Sequence, residues 1–484
     1  MNQSRDTFFW HDYETFGKEP RRDRPAQFAG VRTDTGLREI GDPVDILCQP
    51  APDFLPDPVS VLITGILPQQ ALEQGVPEHL FAARIESELA LPGTIGVGYN
   101  SIRFDDEITR FLFWRSLLDP YAREWQNGCS RWDLLDVVRC AWALRPEGIE
   151  WPKHESGKSS GKPSFRLEHL TRVNGLAHEH AHDALSDVRA TIALARLLRE
   201  KQPKLWEFCL NLRSKDAVRT EIGTNRPFLH ISGRYPVEHG CMAVVWPLAT
   251  HPNNRNEVIV WDLSRDPAEL ASLDAATVKR RLHTRSVDLP EGEQRLPIKT
   301  VHLNRSPIVI ASEKMMALGA RRWGFDLGAI MRHAGHAAAF GRKLDGLWSE
   351  VYARPAPAQP PDVDEDLYGG FLGDEDRRRL GELRTLAVEQ GPERLAQRRM
   401  SFDDGRLDEL SFRWRARNFP ATLDADESAR WLAHRRARLI DGEGGAMTLA
   451  AFFERIDALA EEADERAEDL LSALYDYAGS IVPE

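Results

Sequence analysis

"TFFWHDYETFG", residues 7–17, decides how the rest of the chain is read. Five of its first seven residues are apolar, aromatic or β-branched, the composition of a strand. Yet Asp12 and Glu14 sit inside the run with only Tyr13 between them. On a strand, residues two apart project to the same face, about 6.6–6.8 Å apart along the chain. Both carboxylates therefore point one way and Tyr13 the other. Two ionised carboxylates so close repel, and stripping them of water without compensation is costly. A divalent cation supplies the compensation, and hard oxygen ligands favour Mg²⁺ or Mn²⁺ over zinc. An open sheet face in water also relieves the repulsion, so the pair alone leaves both readings standing.

The chain has 484 residues, more than one compact core accommodates, and two to four domains are expected. At 42% hydrophobic and 29% charged residues, it has the make-up of a soluble globular protein. No run approaches the roughly 18 apolar residues of a membrane span. The first residues lack the basic start, apolar core and small-residue cleavage site of a signal peptide. Cys48, Cys129, Cys140, Cys209 and Cys241 show no paired spacing, which argues against a disulfide framework or a Cys-based zinc site. Together these features predict a cytoplasmic protein with no membrane association.

Residues 355–484 carry 17 Arg, no Lys and 29 acidic residues, a difference equal to the whole net charge of −12. The first 354 residues are therefore neutral overall. Acidity of this kind counts against indiscriminate nucleic-acid binding and leaves room for a locally basic groove.

Up to about residue 201, strand-like runs ("FFWHDYET", "AQFAGVRTD", "PVDILCQP", "GTIGVGYN") interleave with amphipathic stretches such as "PEHLFAARIESELAL", "DDEITRFLFWRSLL" and "RWDLLDVVRCAWAL". That alternation predicts an α/β domain with a mixed sheet. From about 202 to 354 the short β-rich runs "RPFLHISG", "GCMAVVWPLA", "NEVIVWDLS" and "IKTVHLNRSPIVIA" predict a small barrel or sandwich, closed by a helix near "WGFDLGAIMRHAGHAAAFGRKL". "RPAPAQPPDVDED" reads as a linker, and the remainder reads as helical.

Two later stretches bear on the opening acids. "GVGYNSIRFDDEITRFLF" runs from a strand into a helix, with Asp105 at or near the helix start and Asp106 beside it. A carboxylate there also caps free backbone N–H groups, so capping and metal ligation both remain open. "HAHDALSDVRATIALARLL" puts Asp187 in the first turns of an apolar helix and His182 five residues earlier, in the preceding loop. His182 is open to reading as a surface histidine, and His178, His180 and His182 together as a zinc cluster, although no partner motif supports the latter.

Asp-x-Glu on a first strand, an Asp after an Asn-bearing strand end, and a His five residues before an Asp resemble the DEDD exonucleases, in the branch whose fifth residue is histidine. "HDYETFG", "GYNSIRFDDEITR", "SRWDLLDVVRCAWALRPEGI", "PSFRLEHLTRVNGLAHEHAHDALSDV", "HPNNRNEVIVWDL" and "WRARNFPATLD" further resemble the bacterial exonuclease I family along nearly the whole chain. The resemblance implies an α/β multidomain protein. Its parts would be an RNase H-like exonuclease domain at 1–201, an SH3-like β-barrel domain at 202–354 and a C-terminal α-helical domain at 355–484.

It also implies processive 3′-to-5′ hydrolysis of single-stranded DNA to 5′-mononucleotides, in DNA repair and recombination. Asp12, Glu14, Asp105 and Asp187 would hold two Mg²⁺ ions, with Mn²⁺ as a substitute, and His182 would act as general base. By the same resemblance Glu14, Phe104, Arg110, Tyr121, Trp125, Arg139 and Arg166 fall at DNA contacts, with Lys299 and Tyr368 contributing from the outer domains. Arg145 would receive the acidic C-terminal tail of single-stranded DNA-binding protein, and a monomer is expected. For the aromatic residues, core packing is an equal alternative. The clusters "RWRARNFP" and "LAHRRARL" read either as channel lining or as solvated helix faces.

Overall fold

The computed structural model describes residues 6–178, 183–340, 344, 346–353, 361–397 and 400–483. By contacts the chain divides into two compact units: residues 1–130, 178–189 and 358–484 form the first, and 131–177 with 190–357 the second.

In the first unit, strands β1 (Thr7–Thr15), β2 (Pro25–Thr33), β3 (Val44–Leu47) and β4 (Thr94–Gly98) lie side by side in the order β3, β2, β1, β4. β1 runs antiparallel to β2, with Asp12 opposite Ala29 and Glu14 opposite Gln27, and parallel to β4. The mixed sheet foreseen from the alternating runs is therefore present. Phe9 and Tyr13 of β1 point into a core shared with Phe28, Phe81, Ile85 and Leu112. The helices Glu78–Leu89 and Asp105–Arg115 supply its other wall. Since side chains alternate along a strand, burying Tyr13 turns Asp12 and Glu14 to the opposite face.

The C-terminal residues of this unit are helical and pack on its N-terminal ones. Phe54, Val61 and Ala71 share a core with Leu439, Phe452, Leu474 and Tyr477. Phe111, Trp114 and Leu117 share another with Leu380, Leu407, Leu410 and Trp414. Ion pairs run between the same segments: Arg417 meets Asp53 at 2.7 Å and Asp364 at 2.5 Å, and Arg24 meets both Glu78 and Asp364 at 3.3 Å. "RWRARNFP" and "LAHRRARL" belong to this interior. Arg413 binds Asp362 at 2.8 Å, and Arg435 donates to the carbonyls of Pro52 and Ile481. These guanidiniums hold helices together, a role neither sequence reading named, because their partners lie far away along the chain.

The second unit contains an antiparallel five-stranded sheet, ordered β10, β6, β7, β8, β9. Its strands are β6 (Phe228–Ile231), β7 (Met242–Thr250), β8 (Glu257–Asp262), β9 (Ile298–His302) and β10 (Ile308–Ile310). Pro247, which has no N–H to donate, sits where the β7–β8 register shifts. The run "IKTVHLNRSPIVIA" is two strands, not one. A helix not anticipated from the sequence, Glu313–Trp323, ends at Gly324 in the left-handed conformation (φ 72°), before the helix Leu327–Ala338. "RWD", expected to open a helix, lies instead in β5 (Ser130–Asp133), and Asp133 then caps the helix Leu134–Leu144 by accepting from Leu135 N at 3.0 Å.

Candidate active site

Three elements of the first unit bring the acids together. β1 supplies Asp12 and Glu14. The helix Ala184–Lys201 begins beside them because Gln27, across from Glu14 on β2, grips its start. The Gln27 side chain accepts from Ala184 N at 3.4 Å and donates to Asp183 at 3.4 Å and to Asp45 at 2.8 Å. Asp183 in turn accepts from Ser186 N at 2.9 Å, closing the first turn that carries Asp187. Asp12, Glu14 and Asp187 thereby bring one carboxylate oxygen each to within 4.8 Å of one another, the one such group among the described residues.

Asp105 arrives from β4. A Cβ on Gly98, the last residue of that strand, would stand 2.6 Å from Ser101 Cβ and 2.9 Å from the His11 carbonyl, so only glycine permits the turn. Asn100 follows in the left-handed conformation (φ 67°), and Asp105 opens the helix Asp105–Arg115. Its Oδ1 accepts from Tyr13 N, on β1 between the two acids, at 3.2 Å. Asp106 is buried against Arg123 at 2.6 Å. The two neighbours thus differ in position: Asp105 faces β1 and Asp106 pairs inside the fold.

The electrostatics follow from this crowding. The Asp12 carboxyl is held well above its ordinary range by burial first, then by Asp105, Glu14 and Asp187. Burial, then Asp187, Asp105 and Asp183, push Glu14 up to about 8. Asp12 and Glu14, both resisting ionisation beside Asp105 and Asp187 and with no thiolate among them, suit a hard divalent cation.

The histidine that meets the cluster within the described residues is His178, whose Nε2 lies 2.5 Å from Asp187 Oδ1. Its only sequence signal was membership of "HEHAH". His182, with its neighbours 179–181, lies outside the described residues, and with it the zinc-cluster reading.

The residues expected at DNA are distributed as follows. In the first unit, Phe104 is half-buried against the Tyr13 core. Arg110 is buried, and the acidic partners it calls for are Glu107 at 2.6 Å and Glu124 at 2.7 Å, with the Tyr368 hydroxyl at 3.2 Å. Its guanidinium also lies 5.5 Å over the Tyr121 ring. Tyr121 is half-buried, Trp125 is 65% exposed and Tyr368 is 45% exposed. In the second unit, Arg139 pairs with Asp136 at 2.6 Å, and the exposed Arg166 lies 3.6 Å from Glu168. The Lys299 amine sits 3.6 Å over the Tyr235 ring, and burial lowers it to about 8. Arg145 donates to the Leu144 carbonyl at 2.6 Å and reaches Met315 Sδ at 3.4 Å. No helix among the described residues is long and apolar enough to cross a membrane.

Family models match the chain in three consecutive stretches. Residues 9–195 match the exonuclease model, 213–354 the exonuclease I SH3-like domain and 361–481 the exonuclease I C-terminal domain. The exodeoxyribonuclease I of Escherichia coli (strain K12) is 43% identical over 484 residues, covering 98% of each chain. That of Haemophilus influenzae is 39% identical, over 97% of this chain and 98% of its own. Among solved structures, Escherichia coli exonuclease I in complex with a dA16 oligonucleotide matches with a TM-score of 0.92 at 41% identity, covering 99% of this chain and 100% of the other. Similarity at this level runs the length of the molecule and includes the sheet and helices that assemble the acids. The chain belongs to the exonuclease I family and is a nuclease.

Proposed function

We propose that this nuclease removes nucleotides one at a time from the 3′ end of single-stranded DNA, by hydrolysis at Asp12, Glu14, Asp105 and Asp187. The observation that carries the reading is the approach of Asp12, Glu14 and Asp187 oxygens to within 4.8 Å, from elements about 170 residues apart in sequence. Solved relatives in complex with dA16 and dT13 oligonucleotides support the substrate class. The carboxylates would hold two divalent cations, Mg²⁺ with Mn²⁺ as substitute, whose contribution is charge stabilisation of the attacking and departing oxygens. Asp12, whose charge Asp105, Glu14 and Asp187 all oppose, would be one of the groups holding them, and Tyr13 N holds Asp105 in place. His182, five residues before Asp187, would take the proton of the attacking water. As that water's oxygen bonds to phosphorus, the bond to the preceding nucleotide's O3′ breaks and that oxygen takes a proton from bulk water, leaving a new 3′-hydroxyl and a free 5′-mononucleotide.

Phe104, Tyr121, Trp125, Arg139, Arg166, Lys299 and Tyr368 are proposed to contact the strand. Arg110 would do so by exchanging Glu107 or Glu124 for a phosphate. The same reading includes a monomeric cytoplasmic repair enzyme with domains at 1–201, 202–354 and 355–484. It also includes docking of the acidic tail of single-stranded DNA-binding protein at Arg145.

The test incubates the protein with 3′- and 5′-labelled single-stranded DNA, duplex DNA and RNA, in Mg²⁺ or EDTA. Mg²⁺-dependent mononucleotide release from the 3′ end of single-stranded DNA is expected. His182→Ala is expected to retain DNA binding and lose about 10²–10⁴-fold in turnover, the usual contribution of a general base. Release starting from the 5′ end, or equal rates on RNA and DNA, would overturn the assignment.

A further inference from the structure

Phe371 is 86% exposed, an unusual position for a phenylalanine that the fold has every physical reason to bury. It lies within "GGFLG", residues 369–373, between a short turn and the helix Asp374–Thr385. Four aromatic residues are highly exposed among the described residues: Trp125, Tyr368, Phe371 and Tyr475. Three of them fall in the two short stretches 121–125 and 368–371 of the first unit. These stretches touch: the rings of Phe371 and Tyr121 have centroids 6.0 Å apart, tilted by 59°. Tyr368 joins the group through Arg110, which it hydrogen-bonds and which lies over Tyr121. On its other side Arg21 sits 5.5 Å above the Tyr368 ring.

Beside the Tyr121–Phe371 pair is a hollow of about 190 Å³, bordered by Trp114, Leu367, Arg377 and Arg384. Its size falls below the roughly 300–1,000 Å³ typical of a drug-sized ligand. Its floor is apolar and aromatic. On the rim, Arg377 is 45% exposed and meets two acids, Asp374 at 2.6 Å and Asp119 at 3.9 Å, which a phosphate would have to displace. Arg384 donates to the Leu117 carbonyl, and burial lowers its basicity. Flat rings beside guanidiniums, in a segment otherwise dominated by negative charge, match the chemistry of a flat base with its phosphate.

Resting on the single-strand reading above, we infer that Tyr121 and Phe371 form an aromatic clamp in which Tyr121 backs Phe371 and the open face of Phe371 stacks on one unpaired nucleobase of the DNA strand, with Arg377 receiving the adjoining phosphate. The clamp joins a ring from the exonuclease segment to one from the C-terminal segment, so it gives the C-terminal helices a direct part in holding substrate. Stacking accepts every base, as an enzyme that works along any sequence requires.

Phe371 is the residue to test, because its exposure makes folding indifferent to its removal. Binding of a 5′-fluorescent dT oligomer is measured by anisotropy in EDTA, so that no hydrolysis occurs, with thermal unfolding as a folding control. Phe371→Ala is expected to weaken binding about 5- to 140-fold, the range for loss of one stacked base, with the melting temperature unchanged. Phe371→Trp is expected to restore binding, and Phe371→Leu, apolar but without a ring, to remain weak. A parent protein that binds the oligomer while Phe371→Ala binds within twofold of it would overturn the clamp alone. Restoration by leucine would also overturn it, in favour of a purely apolar contact with the strand that needs no ring. A parent that fails to bind would overturn the clamp and the single-strand reading together.

Discussion

Glu14 shows how much of this site is repulsion held in place by the fold. Its carboxyl is pushed to about 8, against an ordinary 4.5, because burial and then Asp187, Asp105 and Asp183 oppose its charge. The folded, metal-free protein therefore binds a proton that the unfolded chain releases above pH 4.5. This contribution to stability is fully present below 4.5 and is lost as pH rises toward about 8. In EDTA, the melting temperature is expected to fall between pH 5 and pH 8 more steeply for the parent than for Glu14→Gln, and Mg²⁺ should remove the difference. Parallel profiles for the two proteins would show that Glu14 is not under this strain. The opening acids were legible because a strand's period of two fixes which side chains share a face. His178 was not, since nothing in "HEHAH" says which histidine a loop will turn toward Asp187.

Elements were readable where their signal is local and hidden where it is not. The strands carrying the acids and the helix carrying Asp187 announce themselves by apolar periodicity. The helix Arg406–Asn418 was equally visible as a helix, but the destination of its charges was not. Arg417, with 3% of its side chain exposed, meets Asp53 and Asp364, and Asp53 is wholly buried. Burial would raise the Asp53 carboxyl, but Arg417 and then His434 bring it well below the ordinary range. Removing one member of such a pair strands the other, at about 3–5 kcal/mol. Arg430 lies on the following helix, is half exposed and pairs with Glu409, an arrangement worth about 0–1 kcal/mol. Denaturant unfolding is expected to separate the two, with Arg417→Ala strongly destabilised and Arg430→Ala close to the parent. Equal losses would mean that the buried network is not what ties these helices together. "RWD" marks the opposite limit: three residues at the head of a helical pattern lie in a strand, and the helix begins only at Leu134.

At the scale of the molecule, residues 355–484 hold the excess negative charge, and arginines such as Arg413 and Arg417 are held in internal ion pairs with acids of the same unit. The C-terminal helices share two apolar cores with the N-terminal segment, so they belong to the body that carries the acids rather than to a tethered appendage. Three-part organisation was legible from composition shifts alone. The interleaving of distant segments within one unit was not, because it is decided by apolar faces that only meet once folded. All of this serves one centre, and titration calorimetry with Mn²⁺ addresses it directly, on the parent and on Asp12→Asn, with single-stranded DNA hydrolysis followed on the same samples. The parent is expected to bind Mn²⁺ at this cluster and degrade DNA, while Asp12→Asn loses both together and melts higher than the parent in EDTA. An Asp12→Asn protein that binds Mn²⁺ and releases nucleotides as the parent does would contradict the account.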